Sequence, residues 1–468
     1  MRARAVALGL VLLVAVVGCG NRADTSAGDP SQSATTAKPG TSAGGSSEGF
    51  GTLANPCGPA PSGANLTATG VGVTADEITI STISDPGGYI PGLNQSLFDT
   101  MKAFSAWCNG FGGINGRKLN VLEKDAQVTK YKDMVVQSCA DSLALVGGLG
   151  ALDQLGAQDA ADCGLVNVPA SAASPEASLA AHVYQPLPNI PSRMNTGPAA
   201  WVKATHPGVE TQAAGLYSKI QTTEDLLNRF EQGTGTIGYN FILSDSAAPL
   251  EPNWGPAVIK LKNADAKFMT LYSTYESILP LQKEFSSQGW APDVTLLEGN
   301  FYDQRYPSQA KEQGADVSNV FITVPVWPIE DADKNPPTKQ YLDLLKQTVP
   351  DAQPAMLGIE SWSAALLWAT SAKAAGPNLT RETLEAELKK VHDWNGGGLH
   401  GTSDPANRMP SVCFVIMTLG DGSFERAYPL EDKDKSVYDN DDHKGMACPK
   451  DALVYLPQQP GADTYKLP

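Results

Sequence analysis

Past residue 70 the chain alternates between two hydrophobic rhythms. EITISTIS (77–84) has the β-branched content of a strand, and KLNVLEKD (118–125) reads as a second one. Between them, NQSLFDTMKAFSAWCN sets Leu97, Met101, Phe104 and Cys108 on one helical face. KYKDMVVQSCADS and LDQLGAQDAADC read as helices, LALVGGLG and GLVNVPAS as strands. A second block repeats the alternation. TQAAGLYSKI, TIGYNFILSD, AKFMTLYST, VTLLEGN and VSNVFITVPVW are strand-like; TEDLLNRFEQG, WGPAVIKLKNAD and ILPLQKEFSSQG are helical. Two further helices follow, ESWSAALLWATSAKAAG and TRETLEAELKKVHDW. SVCFVIMTL and FERAY then form a strand pair around the turn GDGS. Strands alternating with helices of this length predict βαβ units and parallel sheets, an α/β protein. The acidic stretch EDKDKSVYDNDDH has neither period and reads as a solvated surface run.

The stretch NGFGGINGRK (109–118) tests whether a glycine-rich turn binds phosphate. Gly110, Gly112, Gly113 and Gly116 follow a helix and precede a strand. A phosphate cradle needs the opposite order, so that the anion meets a helix N-terminus. The glycines are therefore expected to cap a helix and turn the chain. Gly233, Gly235 and Gly238 match the spacing of a dinucleotide motif but also precede a strand.

The N-terminus changes the picture. Arg2 and Arg4 precede AVALGLVLLVAVVGC, an apolar run that suits an export signal and is too short for an ordinary span. It ends Val16-Val17-Gly18-Cys19, which resembles a bacterial lipobox, with Cys19 the lipidated residue. A plain signal peptide or an anchor helix is the alternative. The expected organisation is a signal peptide over 1–18 and a lipidated, disordered tether over 19–56. The tether is Gly, Ser, Thr, Ala and Pro with almost nothing apolar to bury. About 35 such residues reach ~30–35 Å. No second apolar run of spanning length follows, so the body is expected on the outer face of the cytoplasmic membrane, held by the N-terminal lipid.

At 468 residues the chain is long enough for two domains. Its net charge of −16 and the absence of a long Lys/Arg run beyond the N-terminus argue against nucleic acid as a partner. Of seven cysteines, setting Cys19 aside leaves Cys57, Cys108, Cys139, Cys163, Cys413 and Cys448. An even number in an exported chain favours disulfides. None has CxxC spacing or a nearby His, so no zinc or other metal is expected. The five histidines form no HExxH, and GxSxG is absent, so no enzyme activity and no cofactor are expected.

The order of motifs resembles the branched-chain amino-acid (Leu/Ile/Val) binding proteins, the type I periplasmic solute-binding family of ABC importers. ITISTISDPGG is similar to that family's first strand and pocket loop, and FGGINGRKLNVLEKDAQ to its Gly-Gly-Ile-Asn-Gly-Arg turn. PASAASPE resembles its fourth-strand loop, and PNWGPAVIKLKNADAKFMTLYSTYESILPLQKEFSSQGW its helix–strand–helix run in the second domain. The resemblance implies two doubly wound parallel-sheet lobes joined by three crossovers. Lobe 1 would hold 57–195 and 330–400, lobe 2 would hold 196–329 and 401–430, and a C-terminal tail 431–468. It further implies a monomer that binds a small molecule in the interlobe cleft and delivers it to ABC permease subunits. A ligand-sensing receptor on the same fold is the alternative. In such lobes the second and third helices share a face, so Cys139 can meet Cys163. Cys413 would clip the tail through Cys448, which leaves Cys57 for Cys108.

Ligands of open parallel sheets sit at the C-terminal ends of strands. The expected cleft loops are 84–92, 147–154 and 171–175 in lobe 1, and 218–223, 274–276 and 298–303 in lobe 2. They carry the candidates Tyr89, Ala151, Ser171, Ala173, Tyr275, Glu298 and Tyr302; each tyrosine could equally be a packing or surface residue. Amino-acid binders of the family hold the ligand carboxylate with Ser and Thr hydroxyls on the third and fourth loops. Here the third loop, GGLGALDQL, has none, and the fourth has Ser171 but Ala173 in the usual Thr place. Where the family sets an acid at the first crossover for the ligand ammonium, this chain has Arg193. Arg193 is either an anion contact or a hinge-surface ion pair. The first option implies a small organic anion with an apolar part.

Overall fold

A computed structural model describes residues 49–462. The lipidation candidate Cys19, the signal segment and the tether up to residue 48 lie outside the described residues. Strands β1 (Glu77–Ser84), β2 (Lys118–Asp125), β3 (Ala144–Val146) and β4 (Val166–Val168) form a parallel sheet in the order β2-β1-β3-β4. Strand β1 is buried on both faces, Ile78 and Ile80 as much as Ser81 and Thr82, as expected where helices cover both sides of a sheet. The helix Gln95–Gly110 buries the stripe Leu97, Met101, Phe104 and Cys108. Against it packs the helix Met356–Ala375, which arrives from far along the chain and is buried on nearly every face.

The chain leaves the first sheet through β5 (Arg193–Asn195) and builds a second from β6 (Ala213–Ser218), β7 (Phe241–Ala247), β8 (Phe268–Tyr272), β9 (Val294–Leu297), β10 (Val320–Val324), β11 (Val415–Leu419) and β12 (Phe424–Tyr428). Their order is β12-β11-β10-β9-β8-β6-β7. Strands β6 to β10 are parallel; β11 and β12 close the edge antiparallel. After β10 the chain returns to the first sheet for the helices Pro336–Thr348, Met356–Ala375 and Arg381–Leu388, then crosses back to β11. These passages are three crossovers between two doubly wound lobes. In each sheet the strand order reverses beside the first strand, between β1 and β3 and between β6 and β8, and a crevice opens there.

The glycine turn serves the fold. Gly113 has φ +79°, and a Cβ there would lie 1.8 Å from the Arg117 carbonyl oxygen. The Arg117 side chain is buried and donates to the carbonyls of Thr74 (2.8 Å), Thr67 (2.9 Å) and Pro377 (3.0 Å). It fastens three segments, and no anion is needed to explain it.

One expectation needs correction. The tether does not extend to residue 56. Phe50 is fully buried, with its ring 5.4 Å from that of Trp362 and 6.3 Å from that of Trp107, so 49–56 belongs to the body. The acidic stretch 431–443 is mostly exposed, as expected, with Tyr438 its buried exception, but the tail as a whole packs on the body. Tyr438, Met446, Ala447 and Leu456 are buried, and β13 (Leu453–Tyr455) pairs antiparallel with β5. The apolar residues that dock it fall at irregular spacing, so they give no periodic signal, while the acids between them stay outside.

The three disulfides join Cys57 to Cys108, Cys139 to Cys163 and Cys413 to Cys448, at Cα–Cα distances of 5.2, 6.0 and 4.0 Å. They are the pairs suggested by sequence placement. The last holds the tail to the third crossover beside the Phe414–Ala447 bridge. Arg426 reaches across to Asp331 of the second crossover (2.6 Å) and to the tail carbonyl of Gly445 (2.7 Å), so the tail is tied to all three crossovers.

Candidate ligand-binding site

Between the lobes, at the C-terminal ends of both sets of parallel strands, lies a cavity of about 380 Å³. That is within the ~300–1,000 Å³ usual for small-molecule sites. Its wall is mostly apolar, with Leu149, Leu187, Ile220, Leu226, Phe230 and Leu357 among its residues. Four charged side chains also face it: Arg193, Arg229, Glu298 and Glu360.

Buried acids set the loops of the first lobe. Asp85 accepts the backbone N–H groups of Val128 and Ala151, each at 2.7 Å, and so ties the third-strand loop to the first. Burial raises its pKa, and those two N–H groups oppose the rise. Asp153 accepts the N–H groups of Ala173 (2.7 Å) and Ser174 (3.0 Å), which fixes the fourth-strand loop. Burial pushes its carboxyl up to about 6. These two acids therefore shape the loops that carry Ala151, Ser171 and Ala173 along the cavity wall.

Side-chain contacts cross the cleft at several points, among them these. Thr222 of the second lobe donates its hydroxyl to the Ala151 carbonyl at 3.0 Å. Arg305, paired with Asp303 at 2.6 Å, reaches the Gly92 carbonyl at 3.4 Å and lies over the Tyr275 ring at 5.2 Å. These contacts bridge the cleft at both rims of the cavity.

Arg193 stands on β5, lines the cavity and is 5% exposed, so it is not a hinge-surface residue. Its Nη1 lies 3.5 Å from the Arg408 carbonyl and 3.3 Å from the Met409 sulfur. Glu298 is at the cavity wall, accepting from the Tyr272 hydroxyl at 2.9 Å. Burial raises its pKa; the charge of Arg229 and the Tyr272 hydroxyl oppose that. Tyr89 lies at the rim, half-exposed. Two tyrosines are placed elsewhere. Tyr275 is buried against Tyr306 and faces a separate pocket of about 40 Å³ beside Arg305. Tyr302 is fully buried, its hydroxyl bonded to Glu330 and the Ile329 N–H and its ring 4.7 Å from Phe424. The turn after β9 directs it into the second lobe's own core.

Sequence reasoning passed over two residues. Arg229 extends from the helix Gln221–Gly235, and its Nη1 donates to Asn189 at 2.5 Å. Its spacing from Thr222 and Leu226, seven and three positions away, put it on that helix's apolar stripe, a usable signal. Glu360 is 5% exposed in the helix Met356–Ala375, and burial pushes its carboxyl up to about 8. A lone acid inside MLGIESWSAALLWA was the signal there.

Residues 77–423 match the family described as Periplasmic binding protein, and the chain belongs to that family. No curated protein matches the sequence. Among solved structures, a fatty acid ABC transporter substrate-binding protein from Thermomonospora curvata superposes with a TM-score of 0.68 at 16% identity, over 79% of this chain and 95% of that one. A solute-binding protein of an ABC transporter from R. palustris, in complex with benzoate, gives 0.64 at 14% identity, over 81% and 98%. The branched-chain amino acid transporter substrate-binding protein LivJ from Streptococcus pneumoniae, in complex with isoleucine, gives 0.63 at 15% identity, over 76% and 100%. At these identities the likeness is one of fold.

Proposed function

We propose that this chain is an extracytoplasmic solute-binding protein. It captures a small organic anion with an apolar body between its lobes and delivers it to an ABC permease. The observation that carries the reading is an interlobe, mainly apolar cavity that presents Arg193 and Arg229 and no hydroxyl from the third-strand loop. Arginine holds a carboxylate through charge-assisted hydrogen bonds, which strengthen as water is excluded. The apolar wall takes the rest of the molecule, where burial contributes roughly 25 cal/mol per Å². Two of the similar folds carry names that point the same way, a fatty acid binder and a benzoate complex. Both ligands pair a carboxylate with an apolar body. The membrane attachment belongs to the same reading: lipid on Cys19 keeps the body near its permease.

Binding between two lobes implies hinge closure about the three crossovers. The Thr222–Ala151 and Arg305–Gly92 contacts would form as the cleft shuts. The test is mass spectrometry of small molecules released when the purified protein is denatured. An organic acid with an apolar body is the expected finding. Recovery of leucine, isoleucine or valine would replace the anion reading with a plain amino-acid one.

A further inference from the structure

Each buried acid around the cavity has a visible task except one. Asp85 and Asp153 hold backbone N–H groups, and Glu298 has Tyr272 and Arg229. Glu360 lines the cavity from one turn inside the helix Met356–Ala375. It is 5% exposed, and its Oε2 has no hydrogen-bond partner among the described residues. Burial alone perturbs its proton affinity; neither Arg193 nor Arg229 contributes. Its position among Met356, Leu357 and Ile359 would suit an aliphatic side chain. A carboxyl buried there without a partner is unfavourable unless something else meets it.

Taking the cavity as the anion site described above, we propose that Glu360 determines specificity: as a neutral acid it donates its O–H to a second oxygen of the solute. With the arginines assigned to the solute's carboxylate, the proposal gives Glu360 a further acceptor on the solute. The solute class is therefore an apolar acid with a further acceptor along its body, such as a hydroxy acid, an oxo acid or a diacid. A simple hydrocarbon tail would leave the Glu360 O–H unpaired in the closed cavity and bind less well.

The first test needs no solute. Infrared difference spectra of the wild type and Glu360→Gln at neutral pH should contain the carbonyl stretch of one protonated carboxyl that the variant lacks. If that band is missing from the wild type, the proposal falls. The second test is calorimetry with octanoate, 8-hydroxyoctanoate and octanedioate, on folded variants checked by circular dichroism. At least one oxygenated probe should bind the wild type about tenfold more tightly than octanoate, the upper end of what one net hydrogen bond supplies. Glu360→Gln, whose amide still donates, should keep the preference, and Glu360→Leu should abolish it. Equal binding of all three probes, or equal loss in the Gln and Leu variants, overturns the role of Glu360 and leaves the anion reading standing. If isoleucine binds and no acid does, the anion reading fails, and this proposal with it.

Discussion

Replacing Glu360 with Gln should change how the stability of the protein depends on pH. Burial raises the Glu360 carboxyl from an ordinary 4.5 to about 8. Between those values the folded state holds a proton that the unfolded chain has released. The unfolded state then binds fewer protons, so this group's contribution to stability falls as pH rises, by up to about 1.4 kcal/mol per pH unit. From pH 5 to pH 7 the wild type should lose about 2.5 kcal/mol at this site. Gln has no proton to lose. The stability of the variant minus that of the wild type should therefore grow by about 2.5 kcal/mol over that interval, whatever its offset at pH 5. Asp153, raised to about 6, also destabilises as pH rises, while His400, lowered to about 4, stabilises. Both are present in each protein and cancel in the difference. The assay is urea unfolding of both proteins at pH 5, 6 and 7, with matched m-values as the check that the denatured states are comparable. A difference that stays flat across the three pH values would show that Glu360 is not desolvated as described.

Other perturbations act on the site, the tail and the anchor separately. Arg193→Ala should weaken binding of the recovered solute by about 1.5–3 kcal/mol, roughly one to two decades of affinity, with the fold intact by circular dichroism; unchanged affinity in calorimetry would remove Arg193 from the site. Replacing Cys413 and Cys448 together with Ser should cost about 3–4 kcal/mol of stability, because the bond closes a loop with a sequence separation of 35. Unfolding curves that coincide with the wild type would show that the strand pairing of the tail suffices without it. Cys19→Ser should release the protein from membranes in a folded, ligand-binding form; a mutant that stays wholly in the membrane fraction would rule out the lipid as its anchor.

The alternation of strand and helix was legible because each sheet is parallel and buried, so its strands are short apolar runs between amphipathic helices. The helix Pro336–Thr348 went unread although its start is well signalled: Asn335 accepts from the Thr338 N–H at 3.0 Å, and proline stands in the first turn. Strands β5 and β13 were illegible because each has only three residues and is specified by its partner across the hinge. The cavity loops could be placed from strand ends alone, which is why Ala151, Ser171, Ala173 and Glu298 line the cavity, and Arg193, placed at the first crossover through the family resemblance, lines it too. Loop position does not fix side-chain direction, however. Tyr302 follows β9 as expected yet turns inward to Glu330. Helix residues reach the cavity through tertiary packing, so Arg229 and Glu360 needed the second lobe and the late helix to be in place before their role could be seen.

On the function proposed above, the cavity between the lobes takes an organic anion with an apolar body. Calorimetry of the purified protein with octanoate, octanedioate, benzoate and isoleucine tests it most directly. At least one of the carboxylates is expected to bind, Arg193→Ala to weaken it, and isoleucine to bind far less tightly. Tight isoleucine binding, with no heat from any of the other three, would contradict it.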